Sequence, residues 1–503
     1  MEKKQPKHIA KKIFKVFVWI VGILLVLILA LRLSLKTSFV QNFVKDKVIE
    51  IASSSLQPTL SIGTIRGDLW DEIELTNIQI GDKDTVAHVD TIYASYNLLS
   101  ALSGAFTVNQ LKITKADINV REIRVDEDSS AVFNVQELVV PDTTTQESNS
   151  SFGFSINELM LKNSSISVKS KSLLPDSSLA LKKIELIGAF SMDDDIEGSL
   201  NTLNFQIQEG RLPNNIDFNA SAEYENKTVT LQDLVINTGK SMLQVQGFAN
   251  LKDSLVNAEA NAVPLSFADI KPYIDAEIAS EQIELGLHIK GNTENVEVKL
   301  SGDGSFIKNV EATANFRFQN AAELTSFELK GENLDIAKLT NDSVQVKTGA
   351  FQFSANGNFG ADYKQANISW NFGIEGVQYQ QYEVKQFSAN GKLEEGEVEA
   401  NFDATTPANE QLLAKIGIDN VFNEHTAWEF GFNISDLNAE NWADEAPKTK
   451  VSLNGFATGF GFTPSDKNWK YAISNANINS EKADINISSA FLSELGFANS
   501  KQI

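Results

Sequence analysis

The chain contains no cysteine among its 503 residues. This absence excludes disulfides, thiolate zinc sites, cysteine nucleophiles and a lipidated cysteine. Histidine is also scarce, and the four, His8, His88, His288 and His425, lie far apart in the sequence. A metal site needs convergent ligands, which these scattered histidines do not suggest. The sequence also shows no Ser/His/Asp arrangement of the kind used in nucleophilic catalysis. The sequence therefore predicts no catalytic residue, no metal site, no cofactor and no enzymatic activity.

Basic residues are few outside the N-terminus. The chain has 43 Lys or Arg against 66 Asp or Glu, with a formal net charge of −23, yet eight of the basic residues fall within the first 36 positions. The rest of the chain is therefore strongly acidic. Nucleic-acid affinity comes largely from basic side chains that release phosphate counterions, so we expect no nucleic acid as a partner.

Long hydrophobic runs are rare as well, and the clearest one occupies residues 13–35. Its core, Val16 to Leu31, carries no charge and is long enough for about one bilayer crossing. The basic tail, residues 1–12, precedes it, and the positive-inside rule then predicts a cytoplasmic N-terminus and translocation of everything after Leu35. The competing interpretation is a cleaved signal peptide, but the run is longer than a usual hydrophobic region and lacks a small-residue cleavage site. The expected anchor residues include Val16, Trp19, Leu24, Leu25 and Leu31.

The segment that follows the anchor, residues 37–57, has partial helical spacing of apolar residues. Thr37 or Ser38 is a suitable N-cap, and Pro58 is a suitable terminator. We expect an amphipathic helix that either plugs and orients the near end of the following structure or only packs on it.

Beyond residue 58 the dominant pattern is alternation of apolar and polar residues, interrupted by Gly and Asn turns. Proline is scarce, at 10 residues, and phenylalanine is abundant, at 31, which favours strands over helices or disorder. We divide this part into an N-terminal β-region at 58–140, a loop or linker at 141–151 and an extended repetitive β-groove at 152–503. Three short helix-like insertions recur at 264–273, 333–339 and 436–442. The predicted fold is all-β: a transmembrane helix followed by an elongated, curled antiparallel β-sheet with few short helices.

A sheet with one apolar face must bury that face, and the sequence offers almost no amphipathic helix to cover it. The sheet can close as a sandwich or barrel, coil as a solenoid, or curl into an open trough whose interior is filled by a ligand. All three present the same alternation, so the pattern leaves these alternatives open.

Two stretches carry a family resemblance. The first runs from Leu60 to Trp70 through Gly63 and Gly67, and the second runs from Ile92 to Val120 through the Leu98–Leu99 pair and Gly104. Their order resembles the N-terminal part of the TamB family within the AsmA-like superfamily. The resemblance covers residues 1 to about 125, and the C-terminal domain that the family uses near the outer membrane is not recognisable.

The resemblance implies a protein held in the inner membrane of Gram-negative bacteria, with its bulk in the periplasm. It also implies phospholipid transfer along a hydrophobic β-taco groove towards the outer membrane, and partnership with an Omp85-type outer-membrane barrel. We expect the groove to be lined by aromatic and aliphatic residues of the alternating strands: Phe316, Phe318, Phe351, Phe353, Ile368, Trp370 and Phe372. The alternative functions are a chaperone or scaffold for the assembly of outer-membrane β-barrels, and a structural β-stalk.

Overall fold

The computed structural model describes residues 34–55, 59–81, 85–125, 131–136, 138, 153–172, 178–193, 195–210, 215–271, 281–318, 322–340, 344–358, 366–422, 426–442, 446–461, 469–480, 484–487 and 490–495. The predicted anchor, with Val16, Trp19, Leu24, Leu25 and Leu31, lies outside these residues. Among the residues that are described, no helix is both long enough and apolar enough to cross a membrane.

The fold is all-β and divides into two compact units, Met1–Gly239 and Lys240–Ile503. The first unit begins with helix α1 (Ser38–Ser55), within the segment for which the sequence predicts a helix. A 3₁₀ turn, η1 (Leu98–Ser103), separates its third and fourth strands. The strands of unit 1 are β1 (Leu60–Arg66), β2 (Glu72–Ile80), β3 (Ala87–Asn97), β4 (Ala105–Val125), β5 (Ala131–Phe133), β6 (Gly153–Lys169), β7 (Leu179–Met192), β8 (Ile196–Glu209), β9 (Ile216–Glu225) and β10 (Thr228–Asn237).

In the second unit, the described residues contain the remaining strands and three very short helical turns. Its strands are β11 (Met242–Asn250), β12 (Leu255–Ser266), β13 (Gln282–Asn292), β14 (Asn295–Gly304), β15 (Lys308–Phe318), β16 (Ala322–Glu332), β17 (Val346–Lys347), β18 (Ala350–Asn358), β19 (Asn367–Tyr379), β20 (Tyr382–Glu394), β21 (Glu397–Thr405), β22 (Gln411–Asp419), β23 (Ala427–Leu437), β24 (Thr449–Phe460), β25 (Trp469–Ser480), β26 (Asp484–Ile487) and β27 (Ala490–Leu495). The helical turns are α2 (Phe267–Ile270), α3 (Ile336–Leu339) and η2 (Ala439–Asn441). Each falls within one of the three segments that the sequence identifies as helix-like.

Strand order in unit 1 follows the sequence except at one place. β1, β2, β3 and β4 pair as an antiparallel meander, and β6 to β10 do the same. Between them, β4 and β6 pair in parallel, from Ala105 opposite Gly153 to Arg121 opposite Lys169. The prediction of a purely antiparallel sheet is therefore wrong at this pair.

The parallel pair also bears on the position of the predicted linker at 141–151 relative to the strands. A parallel connection must return the chain to the starting end of the previous strand, and this requires a long crossover. The predicted linker lies outside the described residues, between two strands that bond to each other inside one unit. The boundary between the two compact units falls at Gly239, near a short turn.

A row of backbone irregularities crosses the first unit. Asn77, Lys115, Asn163 and Lys183, on β2, β4, β6 and β7, all have positive φ angles, between 50° and 54°. The register shifts beside Asn163 and Lys183, between Leu161 and Ser164 on β6 and between Lys182 and Glu185 on β7. An extra residue of this kind is a β-bulge, which bends its strand and increases the local twist. At Asn77 and Lys115 the pairing skips a residue without a shift. The four positive-φ residues lie on one line across the sheet, and its apolar face continues on both sides of that line, as in Ile92 opposite Ile113 and Val89 opposite Ala116.

Helix α1 covers one end of that apolar face. Its Val40, Val44 and Val48 pack against a buried cluster on β1, β2 and the loop between them. The buried members of this cluster are Leu60, Ile62, Ile65, Leu69 and Ile78. This is the most conventional core in the described part of the chain, and it anchors the helix to the first strands.

Unit 2 is an antiparallel meander. From β11 to β25, each strand pairs with the next one along the chain, except that β16 pairs with β18 and the two-residue β17 pairs with β19. Substantial strand-to-strand contacts in the described residues occur between pairing neighbours. The described strands of this unit therefore form one continuous layer of paired strands.

Candidate apolar binding face

The strand registers place all seven predicted groove residues on one face of the unit 2 sheet. Directly paired residues share a face in an antiparallel sheet. Phe353 pairs with Phe372, and Ala355, two residues further along, pairs with Trp370. The same alternation links these strands through Phe327 on β16 to Ala314, Phe316 and Phe318 on β15. The side chains that the sequence pattern selected therefore share one face of the sheet.

The apolar face extends well beyond those seven residues. Phe372 pairs with Ala389, which pairs with Phe402, and the row continues through Ala414 to Phe432. Phe387, Phe402, Phe430 and Phe432 were not predicted as groove residues, although the same period-two alternation marks them. Neighbouring rings lie close along the row, with Phe372 and Phe387 at 6.0 Å and Phe387 and Phe402 at 6.3 Å between centroids.

The large side chains of this face are only half-buried. Phe351, Phe353, Trp370 and Phe372 all have intermediate exposure, and Phe318 is 38% exposed. The fully buried apolar residues of the same strands are mostly alanines, namely Ala355, Ala389 and Ala400. In a closed sandwich or barrel the large residues would fill the core and be buried as deeply as the small ones. The described part of unit 2 therefore has an accessible apolar face.

Small residues alternate with large ones across the strands and allow the rings to lie flat. Trp370 pairs with Gly391, and a Cβ atom at position 391 would lie 2.7 Å from the indole ring. Phe351 lies over Gly331 in the same way, and a Cβ atom at position 331 would lie 2.5 Å from the phenyl ring. An aromatic ring that covers a neighbouring glycine shields its backbone and keeps the surface low and continuous.

The opposite face is polar. Ser354, Asn371, Asn390 and Asn401 follow one another across β18 to β21, and the Asn401 side-chain amide donates to Asn390 Oδ1 at 3.1 Å. A cavity of about 660 Å³ lies over this face, lined among others by Lys330, Gln352 and Asn371. Phe351, Phe372 and Ile374 also border this cavity, but the side chains of this face are mainly charged groups and amides, which suit polar ligands better than apolar ones. The two faces of the sheet therefore differ in chemistry.

One rim of the unit 2 sheet is reinforced by buried polar networks around the helical turns. At η2, the Glu410 carboxylate is 4% exposed and accepts hydrogen bonds from the Asn438 amide at 2.7 Å, Asn441 at 2.9 Å and Trp442 Nε1 at 3.1 Å. Thr406 Oγ1 donates to it as well, at 2.9 Å. Burial by itself raises the pKa of this carboxyl, but the four donors together outweigh burial and leave the pKa below its ordinary value.

The other two turns share a second network on the same rim. Phe306, in the loop between β14 and β15, lies 5.5 Å from Phe267 of α2, and its carbonyl accepts the Asp335 amide at 2.7 Å. Asp335 caps α3 through the Lys338 amide and forms an ion pair with Lys347 at 3.1 Å. Burial raises the pKa of Asp335, but Lys347 and the Lys338 amide together outweigh burial and leave the pKa below its ordinary value. These contacts fix the rim and hold the ends of the strands in register.

Unit 1 carries an apolar face of the same kind. The parallel pair stacks like against like: Phe106 on Phe154, Ile118 on Ile166 and Val120 on Val168. Phe154 in turn lies 6.5 Å from Phe190 on β7. This continuous row of aromatic residues was not predicted as a site, although its alternation is visible in the sequence.

The histidines in the described residues make local contacts: His88 bonds Asn77, and His288 bonds Asn257 at 2.7 Å. No group of three or more His, Asp or Glu side chains in those residues is placed to hold a metal ion. Comparison of the chain with family models, curated proteins and solved structures gives no match.

Proposed function

We propose that this protein carries phospholipid along the apolar face of its sheets, as an inner-membrane-anchored conduit of the bacterial periplasm directed towards the outer membrane. The observation that supports it is the row of half-buried aromatic side chains on one face of a continuous sheet. Acyl chains are suitable occupants because each buried CH₂ group contributes about 0.8 kcal/mol without a directional bond. A lipid is then held along its length yet moves between equivalent positions.

In this proposal the acyl chains and the head group of the lipid occupy different surroundings. Acyl chains lie against Phe353, Phe372 and their neighbours, and the head group remains in water beyond the rim of the sheet. No covalent step or catalytic residue takes part. The resemblance of residues 1 to about 125 to the TamB family is consistent with this assignment, and an Omp85-type barrel is the partner that it proposes at the outer membrane.

The chaperone alternative predicts a different occupant, an unfolded β-strand. Recognition of such a strand by β-augmentation needs a sheet edge with free backbone donors and acceptors. The strands that present the aromatic row, such as β19 and β20, are hydrogen-bonded on both sides. Their accessible surface offers side chains and no backbone partners, which favours acyl chains over polypeptide.

The test is site-specific photo-crosslinking of the full chain in cells whose phospholipids carry ³²P. A benzophenone amino acid is placed at Phe372 or Phe432 on the apolar face, and at Asn371 or Asn433 on the polar face as matched controls. We expect labelled lipid adducts from the first two positions and few from the controls. Adducts of polypeptide at Phe372 and Phe432, without labelled lipid, would favour the chaperone, and equal labelling of both faces would contradict the conduit.

A charge placed within the row tests movement rather than binding. Trp370→Asp should reduce lipid adducts at Phe432, on the later strand β23, because an ionised carboxylate interrupts the apolar path. Asn371→Asp puts the same charge on the opposite face and should leave the adducts unchanged. Resistance to limited proteolysis must match the parent protein for either result to count, since an unfolded variant would lose adducts for a different reason.

A further inference from the structure

Helix α1 has an unusual outer face. Its inner face packs on the buried cluster of β1 and β2, as described above. On the outer face, Phe39 is 80% exposed and Phe43 is 57% exposed. Two phenylalanines one turn apart on a helix form a continuous apolar ridge. Exposed apolar patches of this kind commonly mark sites of contact with another protein or with a membrane.

The outer face changes character along the helix. Phe39 and Phe43 occupy its first two turns, whereas Asp46, Lys47 and Glu50 occupy the later ones, where Lys47 pairs with Glu50 at 2.6 Å. The apolar part is therefore the end closest to the N-terminus. This polarity matches a helix that begins in an apolar medium and ends in water.

A second exposed apolar pair is attached to the same corner of unit 1. Leu98 and Leu99 open the turn η1, and Leu99 is 60% exposed. The loop between β1 and β2 connects the two elements: Gln41 of α1 donates to the Gly67 carbonyl at 2.8 Å, and the Tyr96 amide, just before η1, donates to the Asp71 carbonyl at 2.8 Å. Both apolar pairs are thus held by one short loop.

The chain that leads into this corner indicates what covers it. The long apolar run of the sequence ends at Leu35, and Leu35 itself packs against the buried cluster of β1 and β2. No flexible linker therefore separates the predicted membrane span from the sheet. With about 1.5 Å of rise per residue, Phe39 and Phe43 lie within roughly two helical turns of the point where the span would end.

We propose that Phe39, Phe43, Leu98 and Leu99 insert into the boundary between head groups and acyl chains of the same bilayer that holds the N-terminal anchor. Apolar side chains of a surface helix enter this boundary and add to membrane affinity in proportion to the area they bury. The contact seats the α1 end of the unit 1 apolar face on the membrane, where a lipid can enter it. The proposal rests on the predicted anchor and is independent of lipid transfer.

The absence of cysteine makes the test direct, because any single cysteine introduced is the only labelling site. Nitroxide labels are placed at positions 39, 43 and 99 of the full chain reconstituted in lipid nanodiscs. Leu25, within the predicted anchor, is the membrane reference, and Leu251, which is 62% exposed in unit 2, is the aqueous reference. Accessibility to oxygen and to a water-soluble nickel chelate then reports the surroundings of each label.

We expect labels 39, 43 and 99 to be shielded from the nickel chelate and accessible to oxygen, at depths shallower than position 25. Aqueous behaviour at all three positions, with position 25 in lipid, would overturn the proposal while leaving the anchor intact. Aqueous behaviour at position 25 would overturn the anchor and this proposal together, without bearing on the crosslinks at Phe372. Lipid exposure at 39 and 43 but not at 99 would overturn the part assigned to η1.

Discussion

Ser164 and Ala116 face each other across the parallel pair β4–β6, where the serine hydroxyl accepts the alanine backbone N–H at 3.0 Å. Ser164 is only 2% exposed. Each residue follows a residue with positive φ, Asn163 or Lys115. The regular ladder is interrupted there, so the hydroxyl stands in for the missing carbonyl acceptor.

Replacement of this hydroxyl tests its role. Ser164→Ala leaves a buried N–H without its acceptor, which typically costs about 1–3 kcal/mol. We expect hydrogen exchange in the segment 111–120 of β4 to accelerate by roughly one to two orders of magnitude if exchange there occurs through local opening. The matched control is Ser165→Ala, which removes a hydroxyl that donates to Asp117 in an exposed contact. Equal acceleration in both variants would contradict the assigned role.

Gly391 tests the packing of the apolar face. A Cβ atom at this position would lie 2.5 Å from the Glu399 carbonyl oxygen and 2.7 Å from the Trp370 ring. Gly391→Ala should therefore displace both the backbone and the indole, at a cost of about 1–3 kcal/mol for overpacking. We expect a lower urea midpoint and an altered tryptophan emission spectrum before unfolding.

Gly373→Ala is the control for that variant, because its added Cβ makes only ordinary contacts with Gln352, at 3.5 Å. Its effect on the emission spectrum should be small. A Gly391→Ala protein with the parent's midpoint and spectrum would mean that the Trp370 ring does not rest on this glycine.

Much of the fold follows from local sequence signals. Alternation placed Phe351, Phe353 and Phe372 on one face because the side-chain period of a strand is fixed at two. The helical turn α3 was predictable from Asp335, a good N-cap residue, followed by apolar and basic residues. Such features depend on neighbours in the sequence, so the sequence suffices to predict them.

The parallel pair β4–β6 could not be predicted in the same way. Alternation is identical in parallel and antiparallel strands, and Ala105 meets Gly153 only because a long crossover returns the chain to the same end. Likewise, alternation did not decide between a closed core and an accessible face. That choice depends on whether distant strands pack together, and the partial exposure of Phe318 and Phe353 shows an accessible face in the described strands.

Phe306 tests how the rim of unit 2 is held. It is almost fully buried, contacts Phe267 and receives the Asp335 amide on its carbonyl. Phe306→Ala removes the ring and leaves a cavity, which typically costs about 3–5 kcal/mol. The ring packs on α2 and the backbone carbonyl of the same residue holds Asp335 at the start of α3. Because loss of the ring shifts this backbone, we expect faster hydrogen exchange in 266–271 and in 333–340 together.

Phe318→Ala is the control, since that ring is half-exposed at the opposite end of β15. It should leave exchange at α2 and α3 unchanged. Acceleration at only one of the two turns in Phe306→Ala would show that the turns are held independently.

The Glu410 network makes the rim sensitive to acid in a defined direction. The pKa of this carboxyl is lower in the folded protein than its ordinary value of 4.5, so the folded state binds the proton less readily than the unfolded state. The stabilisation is therefore fully present above about pH 4.5 and is lost as the pH falls below it, through the folded pKa. Glu410→Gln removes the charge, and we expect it to lower the free energy of unfolding by about 1–3 kcal/mol at pH 7. The difference in the free energy of unfolding between the two proteins should then narrow as the pH falls from 4.5 to 3, measured by urea denaturation at each pH.

The control is Glu440→Gln, which changes an exposed neighbour on η2 and should differ little from the parent at any pH. A difference for Glu410→Gln that stays constant between pH 7 and pH 3 would mean that the four donors do not stabilise the ionised form.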